Sequence, residues 1–125
     1  MIRTRLAHLL IGTPKAFGEK GEASAIAKDT VDYPLMLGFD GLAGNQVADP
    51  VHHGGPDKAV HLYPVEHYAF WQEKYPDVAV LNQPGAFGEN FSCSGMTENE
   101  LCLGDVFRVG EALIECSHAR QPCWK

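Results

Sequence analysis

Glycine and proline interrupt this chain so often that long regular elements have little room. Thirteen glycines and eight prolines are spread through the 125 residues, and no stretch without either is longer than twelve residues. Segments of that length are typical of short strands joined by turns, whereas a helical bundle needs longer uninterrupted runs. The chain is therefore predicted to be mainly β.

The predicted strands are short runs rich in β-branched and apolar residues: Thr4–Ile11, Ser24–Val31, Ala59–Tyr63, Val106–Val109 and Leu113–Ser117. A loop of Gly110, Glu111 and Ala112 separates the last two strands, and this predicts a hairpin. One helix is predicted over Pro64–Tyr75, with proline at its start and Pro76 just beyond its end. A second short helical turn is predicted at Thr97, because Glu100 follows it at capping-box spacing.

The composition is that of a soluble globular protein, with 45% hydrophobic and 21% charged residues. The formal net charge of -6 disfavours nucleic-acid backbones and anionic membranes as partners. No apolar run is long enough to cross a membrane, and Leu6–Ile11 is shorter than a signal-peptide core. We therefore expect a single domain over residues 1–125 in the reducing cytoplasm.

The four cysteines form neither a CxxC pair nor a zinc-finger spacing: Cys93, Cys102, Cys116 and Cys123. Cys123 follows Pro122 and has cations close in sequence at His118, Arg120 and Lys125. Neighbouring positive charge favours the thiolate, the form that attacks, exchanges or binds metal. The alternative is that Cys123 is a buried small hydrophobe, as free cysteines often are.

The segment from Gly38 to His61 is dense in glycine, histidine, aspartate and lysine. Gly54 and Gly55 allow close approach of a ligand to the backbone, since neither carries a Cβ. The side chains that offer imidazole, carboxylate or ammonium groups are His52, His53, His61, Asp57 and Lys58. The spacing fits no common zinc site and no Walker P-loop, so a structural role for these histidines stays open.

Glu89 and Asn90 lie between two aromatic residues in Phe87-Gly-Glu-Asn-Phe91. An acid and an amide held between buried rings would be fixed in orientation. The alternative is a turn in which Asn90 adopts a left-handed conformation or bonds to its own backbone.

Four strings of the chain together resemble the MOSC domain, the family named for the molybdenum cofactor sulfurase C-terminus. They are His53-Gly-Gly-Pro-Asp-Lys-Ala-Val60, Phe87-Gly-Glu-Asn-Phe91, Gly104-Asp-Val-Phe-Arg-Val-Gly-Glu-Ala112 and Ala119-Arg-Gln-Pro-Cys-Trp-Lys125. They occur in the family's order and are most similar to the bacterial YiiM-type subgroup, linked to 6-N-hydroxylaminopurine resistance.

The resemblance implies an antiparallel β-barrel, related to the pyruvate-kinase β-barrel domain, with one or two short helices. It implies a molybdenum cofactor of the molybdopterin type, with Cys123 as the metal ligand, because a soft thiolate suits such a centre. The residues implied to act in catalysis are Cys123, His53 and His61. Those implied to bind the cofactor are Asp57, Lys58, Asn90, Arg120 and Cys123, with His52, Glu89 and Lys125 as further candidates.

The implied reaction reduces N-hydroxylated compounds, such as N-hydroxylated nucleobases, to amines in a detoxification role. The sequence has no flavin, haem or iron–sulfur motif, so an external reductase is expected to supply the electrons. The protein is expected to be a monomer or homodimer. Members of the subgroup continue past the cysteine, so the domain is expected to be incomplete at its C-terminus. Two alternatives are a sulfur-carrier or cofactor-binding module with a persulfide on Cys123, and an inactive truncated remnant.

Overall fold

A computed structural model describes residues 2–123 and contains ten short strands. In chain order they are β1 Leu6–Ile11, β2 Lys15–Phe17, β3 Glu22–Ser24, β4 Asp29–Val31, β5 Leu37–Gly38, β6 Gly41–Leu42, β7 Leu62–Pro64, β8 Phe91–Cys93, β9 Val106–Val109 and β10 Ala112–Glu115. The helices are α1 Pro50–His53 and α2 Glu66–Lys74, with 3-10 turns at Pro56–Lys58 and Ala79–Asn82. The predicted mainly β class is confirmed.

The largest sheet has four strands in the order β4-β1-β8-β7. Strand β1 pairs antiparallel with β4 on one side and with β8 on the other. Strands β7 and β8 run parallel, with Tyr63 opposite Ser92. The sheet is therefore mixed, and its central strands come from distant parts of the chain.

The remaining strands form three two-stranded sheets: β2 with β3, β5 with β6, and β9 with β10. Within residues 2–123 these sheets do not close into the predicted antiparallel barrel. The four-stranded sheet ends at β4 and β7, and closure requires its edge strands to pair with one another or with further strands.

One predicted strand is divided in the structure, and the central strand β8 was not predicted. The segment predicted as one strand, Ser24–Val31, is split between β3 and β4, because Ser24 ends one ladder and Asp29 begins another. Between them, the Ser24 side chain accepts a hydrogen bond from the backbone N–H of Ile26 at 3.2 Å. Strand β8 was missed, because it has only three residues and all three are buried, so the polar Ser92 does not mark a solvent-facing side.

Predictions that depend on local turn chemistry fared better. Strand β9 has the predicted bounds, and Gly110, with φ of 59°, turns the chain into β10. Helix α2 begins at Glu66 and ends where Tyr75 donates its backbone N–H to the Trp71 carbonyl at 2.8 Å. The predicted helical turn at Thr97 is a single turn in which the Thr97 N–H donates to Glu100 Oε2 at 2.7 Å.

The core is small and lies around the central sheet. Its buried apolar residues are Leu10, Ala25, Leu42, Leu81, Phe91, Cys93 and Met96. Four polar residues are also buried: Ser24, Glu89, Asn90 and Ser92. Three of these four lie in or next to β8, so the middle of the sheet carries a buried polar segment. None of the helices in residues 2–123 has the length and apolar character needed to span a membrane.

Candidate functional site

Asn90 is buried and ties three segments of the chain together. Its Nδ2 donates to the Leu10 carbonyl at 3.1 Å and to Asn45 Oδ1 at 3.3 Å. Its Oδ1 accepts the backbone N–H of His61 at 3.0 Å. The backbone adds to this, because the Asn90 N–H donates to the His61 carbonyl at 2.8 Å. Asn90 therefore fixes where His61 lies relative to the sheet.

The neighbouring Glu89 is a fully buried carboxylate held by hydrogen bonds. The Tyr68 hydroxyl donates to both of its oxygens, at 3.1 Å to Oε2, and the backbone N–H of Gly85 donates to Oε1. Burial and the Glu89 carboxylate together raise the pKa of the Tyr68 hydroxyl, which keeps it protonated as a donor. Glu89 thus closes the loop that runs from Gly85 into β8.

The loop itself depends on glycine rather than asparagine. Gly85 and Gly88 have φ of 94° and 73°, and every described residue with positive φ is a glycine. The suggestion that Asn90 adopts a left-handed conformation is therefore wrong. A Cβ on Gly85 would lie 3.0 Å from the Lys28 carbonyl, so this position also needs close backbone contact.

His61 is a half-buried imidazole surrounded by positive charge. Burial, and then the nearby charges of Arg120 and Lys28, lower the pKa of His61 to about 4, although a hydrogen bond with the Gly88 backbone opposes the shift. His61 is therefore neutral at pH 7. It is better suited to hydrogen bonding than to supplying a proton at that pH.

Lys28 and Arg120 are half-buried cations whose charges act on one another. Burial, followed by the charge of Arg120, lowers the pKa of Lys28 to about 8, while Glu89 opposes the shift. Burial also lowers the pKa of Arg120, whose Nη2 donates to the Lys58 carbonyl at 2.9 Å. Together with His61 they form a basic cluster, which we define as Lys28, His61 and Arg120.

Cys123 meets His53 at the edge of the site. The Sγ atom lies 3.3 Å from His53 Nε2, and the thiol is exposed. Burial, and then the charge of Lys58, lower the pKa of His53, which favours the neutral ring. In the tautomer that leaves Nε2 unprotonated, the neutral ring accepts a hydrogen bond from the thiol.

The basic residues predicted to lie near the thiol make other contacts in the structure. The His118 ring lies against the Ala119 carbonyl at 2.9 Å, and Arg120 is turned toward Lys58. Lys125 lies outside the described residues. The described imidazole in contact with Cys123 therefore comes from α1 and not from the tail.

The chain before Cys123 is attached to the histidine–glycine segment. The Ser117 hydroxyl donates to the Asp57 carbonyl at 2.6 Å, next to the contact of Arg120 with Lys58. Asp57 thus takes part through its backbone, while Lys58 Nζ donates to the carbonyl of His52. The structure therefore brings the predicted residues of the two segments together.

His52 itself has a structural contact. Its ring Nδ1 lies 2.9 Å from Asp49 Oδ2, and its backbone N–H donates to Asp49 Oδ1 at 3.2 Å. Asp49 caps the start of α1 in this way. His52 therefore helps to hold α1 in place, whereas the next residue, His53, reaches the thiol.

Comparison with known proteins decides the family. The model of the MOSC domain matches residues 49–125, which hold both segments that meet at Cys123. The chain belongs to the MOSC domain family.

Curated relatives match most of the chain. The protein YiiM of Escherichia coli is 49% identical over 114 residues, which is 91% of this chain and 50% of the relative. YflK of Bacillus subtilis is 41% identical over 98% of this chain and 55% of its own length. A protein of Gibberella moniliformis named "Reductase" is 37% identical over 82% of this chain and 18% of its own length.

Solved structures show the same relationship. The crystal structure of YiiM from Geobacillus stearothermophilus superposes with a TM-score of 0.72 at 34% identity, over 97% of this chain and 53% of that one. YiiM from Escherichia coli gives a TM-score of 0.59 at 45% identity, over 70% of this chain and 39% of that one. The chain spans about half the length of the Escherichia coli YiiM sequence, of YflK and of the Geobacillus stearothermophilus YiiM structure.

The metal-ligating side chains suit a metal whose other ligands come from its cofactor. Within residues 2–123, no group of three or more His, Cys, Asp or Glu side chains is placed to hold a metal ion. A pterin-based molybdenum cofactor brings sulfur ligands of its own, so the single exposed thiol of Cys123, once deprotonated by the metal, would be a suitable protein ligand. The basic cluster suits the anionic part of such a cofactor.

Lys28 and Asn45 are the site residues that the sequence reasoning missed. Lys28 follows the short run Ala25–Ala27, and nothing in the sequence around it separates it from an ordinary exposed lysine. Asn45 offers no signal either, because its importance lies in accepting hydrogen bonds from Gly12 and Asn90, which are distant in sequence.

Proposed function

We propose that this MOSC domain is an oxidoreductase that binds a molybdenum cofactor and reduces N-hydroxylated compounds to amines. The observation that carries the proposal is the contact of 3.3 Å between Cys123 and His53. It joins the two segments of the family pattern into one place, and the half-buried cation Arg120 acts on His53 there. The relative named "Reductase" supports the reaction class.

In this proposal each residue has a separate task. Cys123 is the ligand to molybdenum and binds as thiolate because the metal displaces its proton, while His53 is the hydrogen-bonding partner of the sulfur. Lys28 and Arg120 hold the anionic group of the cofactor, at a place where partial burial strengthens the attraction. When bound, the cofactor supplies the electrons for cleavage of the N–O bond.

The reaction balances with two electrons and two protons, as expected for N–O reduction. The N–O bond breaks, the nitrogen leaves as the amine, and the oxygen leaves as water. An external reductase supplies the electrons. His53 is the better candidate for passing a proton, since the pKa of His61 is about 4 and its ring is engaged with Gly88.

The proposal is tested by turnover of an N-hydroxylated base in the presence of a reductase. Cys123→Ser should abolish reduction, and Cys102→Ser is the matched control because Cys102 is also a free, exposed cysteine. Loss in the first variant with full activity in the second is the expected result. Equal activity in both variants would overturn the role of Cys123.

A sulfur-carrier module is the second function to test, because the exposed thiol of Cys123 is also open to sulfur transfer. In that case mass spectrometry of the intact protein should find an extra sulfur atom on Cys123 that a reducing agent removes. The same protein should then contain no molybdenum and should not reduce the N-hydroxylated base.

A further inference from the structure

A small cleft lies between α2, the 3-10 turn at Ala79–Asn82 and the four-stranded sheet. Residues of all three elements line it, with strands β1 and β8 contributing from the sheet. Its volume is about 200 Å³. A water molecule takes up about 30 Å³ in the liquid, so the cleft has room for a small organic molecule and not only for one water.

Ser92 is the buried polar residue of this cleft. It lies opposite His8 of β1 and Tyr63 of β7, and directly paired side chains leave the same face of a sheet. Ser92 is fully buried, and its hydroxyl has no hydrogen-bonding partner among the described residues. A buried hydroxyl without a partner is unfavourable, because it offers a donor and two acceptor sites that water would otherwise satisfy.

The neighbouring buried polar side chains do not share this property. Asn90 bonds to Leu10, Asn45 and His61, and Glu89 accepts from Tyr68 and from the Gly85 backbone. Ser92 is therefore the exception in a segment whose other polar groups are well satisfied. Its position in the lining of the cleft makes its hydroxyl available to a molecule that enters there.

The walls of the cleft combine apolar surface with side-chain amides. Val65 and Leu81 supply apolar groups, while Asn82 and Gln83 carry amides that both donate and accept hydrogen bonds. Gln72 holds the walls together, because its Nε2 donates to the Leu81 carbonyl at 2.7 Å. No Lys, Arg, Asp or Glu side chain occurs among the described residues of the lining. An ion would lose its hydration there without meeting an opposite charge, so the lining favours an uncharged ligand.

The cleft is separate from the site at Cys123. Its described lining includes neither Cys123 nor His53, nor any member of the basic cluster. Tyr68 does line it, and the Tyr68 hydroxyl donates to Glu89 Oε2 at 3.1 Å. A molecule in the cleft therefore contacts a side chain that supports the buried polar segment, but not the thiol.

We infer that this cleft binds a small uncharged molecule that carries an amide or hydroxyl group on a branched apolar end. The polar group of the ligand bonds to the Ser92 hydroxyl, and the apolar end packs against Val65 and Leu81. The inference does not rest on the proposed function, because no step of that function uses a residue of the cleft.

The binding test uses isobutyramide as the probe, titrated into the parent protein and followed by amide chemical shifts in NMR spectra. Saturable shifts are expected at Ser92 and in residues 81–83. Isobutyrate has nearly the same shape but a negative charge. It should bind about ten-fold more weakly or not at all, because the cleft offers no counter-charge.

Ser92→Ala should weaken isobutyramide binding about five-fold, because one hydrogen bond to the ligand is lost. The variant should still fold, since no hydrogen bond among the described residues depends on this hydroxyl. Ser94→Ala is the matched control, because Ser94 is an exposed serine two residues further along that does not line the cleft. It should bind isobutyramide like the parent.

Three results would overturn the inference. They are the absence of saturable shifts with isobutyramide, equal affinity of Ser92→Ala and Ser94→Ala for it, and binding of isobutyrate as tight as that of isobutyramide. The comparison of the two probes uses the parent protein, so it decides the charge preference even if a variant fails to fold.

Discussion

The two segments of the site, one with Glu89 and Asn90 and one that ends in Cys123, differ in burial and in hydrogen bonding. The segment of Glu89 and Asn90 is buried, and its side chains bond to the first strand, to α2 and to the loops at Asn45 and Gly85. The segment that ends in Cys123 is exposed and is attached through Ser117, Arg120 and the contact with His53. The first part defines positions, and the second carries the thiol that we propose as the metal ligand. Substitutions should therefore cost stability in the first part and chemistry in the second.

The largest effect on stability should come from Asn90→Ala. The substitution leaves the N–H of His61 and the carbonyl of Leu10 without their side-chain partner. The expected loss in the free energy of unfolding is about 3 kcal/mol, since each buried unpaired group costs about 1–3 kcal/mol. Urea denaturation measures it. The free energy of unfolding of Cys123→Ser, a variant of the exposed segment, should stay within about 0.5 kcal/mol of that of the parent. An equal loss in both variants would show that the two segments do not differ in their contribution to stability.

A smaller loss is expected for Tyr68→Phe. The substitution removes a donor from the fully buried carboxylate of Glu89, with a cost of about 2 kcal/mol, because hydrogen bonds to charged groups contribute about 1.5–3 kcal/mol. Tyr33→Phe is the matched control, because Tyr33 is 54% exposed. Thermal unfolding of the two variants compares them, and an unchanged Tm for Tyr68→Phe would show that the Glu89 contact is dispensable.

The pH dependence of stability should report on His61. Its folded pKa of about 4 lies below the ordinary value of 6.5, so the unfolded chain binds more protons between these values. Stability conferred by the neutral ring is therefore present above about pH 6.5 and is lost as the pH falls toward about 4. Urea midpoints at pH 7 and pH 5 should differ less in His61→Asn than in the parent. His8→Asn, at an exposed position on β1, should leave the difference unchanged.

The smallest effect, and one of opposite sign, is expected for Ser92→Ala. The Ser92 hydroxyl is buried and has no hydrogen-bonding partner among the described residues. Its removal should raise the free energy of unfolding by about 1 kcal/mol, because the cost of an unpaired buried polar group disappears. A measured loss would show that the hydroxyl contributes to the buried segment after all.

Some elements of the fold could be predicted from the sequence and others could not. The hairpin of β9 and β10 and helix α2 were predicted because glycine and proline at their ends act locally. Strand β8 was missed because it forms through pairing with β1 and β7, which are remote in sequence. The split between β3 and β4 was missed for a related reason, since apolar content alone does not show where one ladder ends.

The candidate site shows the same division. The family pattern predicted that Cys123 and His53 belong together, and the structure gives their contact. It did not predict Lys28, because the lowered pKa of that lysine comes from burial and from Arg120, which folding brings near. Burial and charge at a site are properties of the assembled chain, whereas motif order is a property of the sequence.

The central claim is that Cys123 holds molybdenum and that the buried segment holds the fold. Elemental analysis of the purified parent, Cys123→Ser and Cys102→Ser, with urea denaturation of each, tests both halves together. We predict stoichiometric molybdenum in the parent and in Cys102→Ser, almost none in Cys123→Ser, and similar stability in all three. Full molybdenum content in Cys123→Ser, or loss of its fold, would contradict the account.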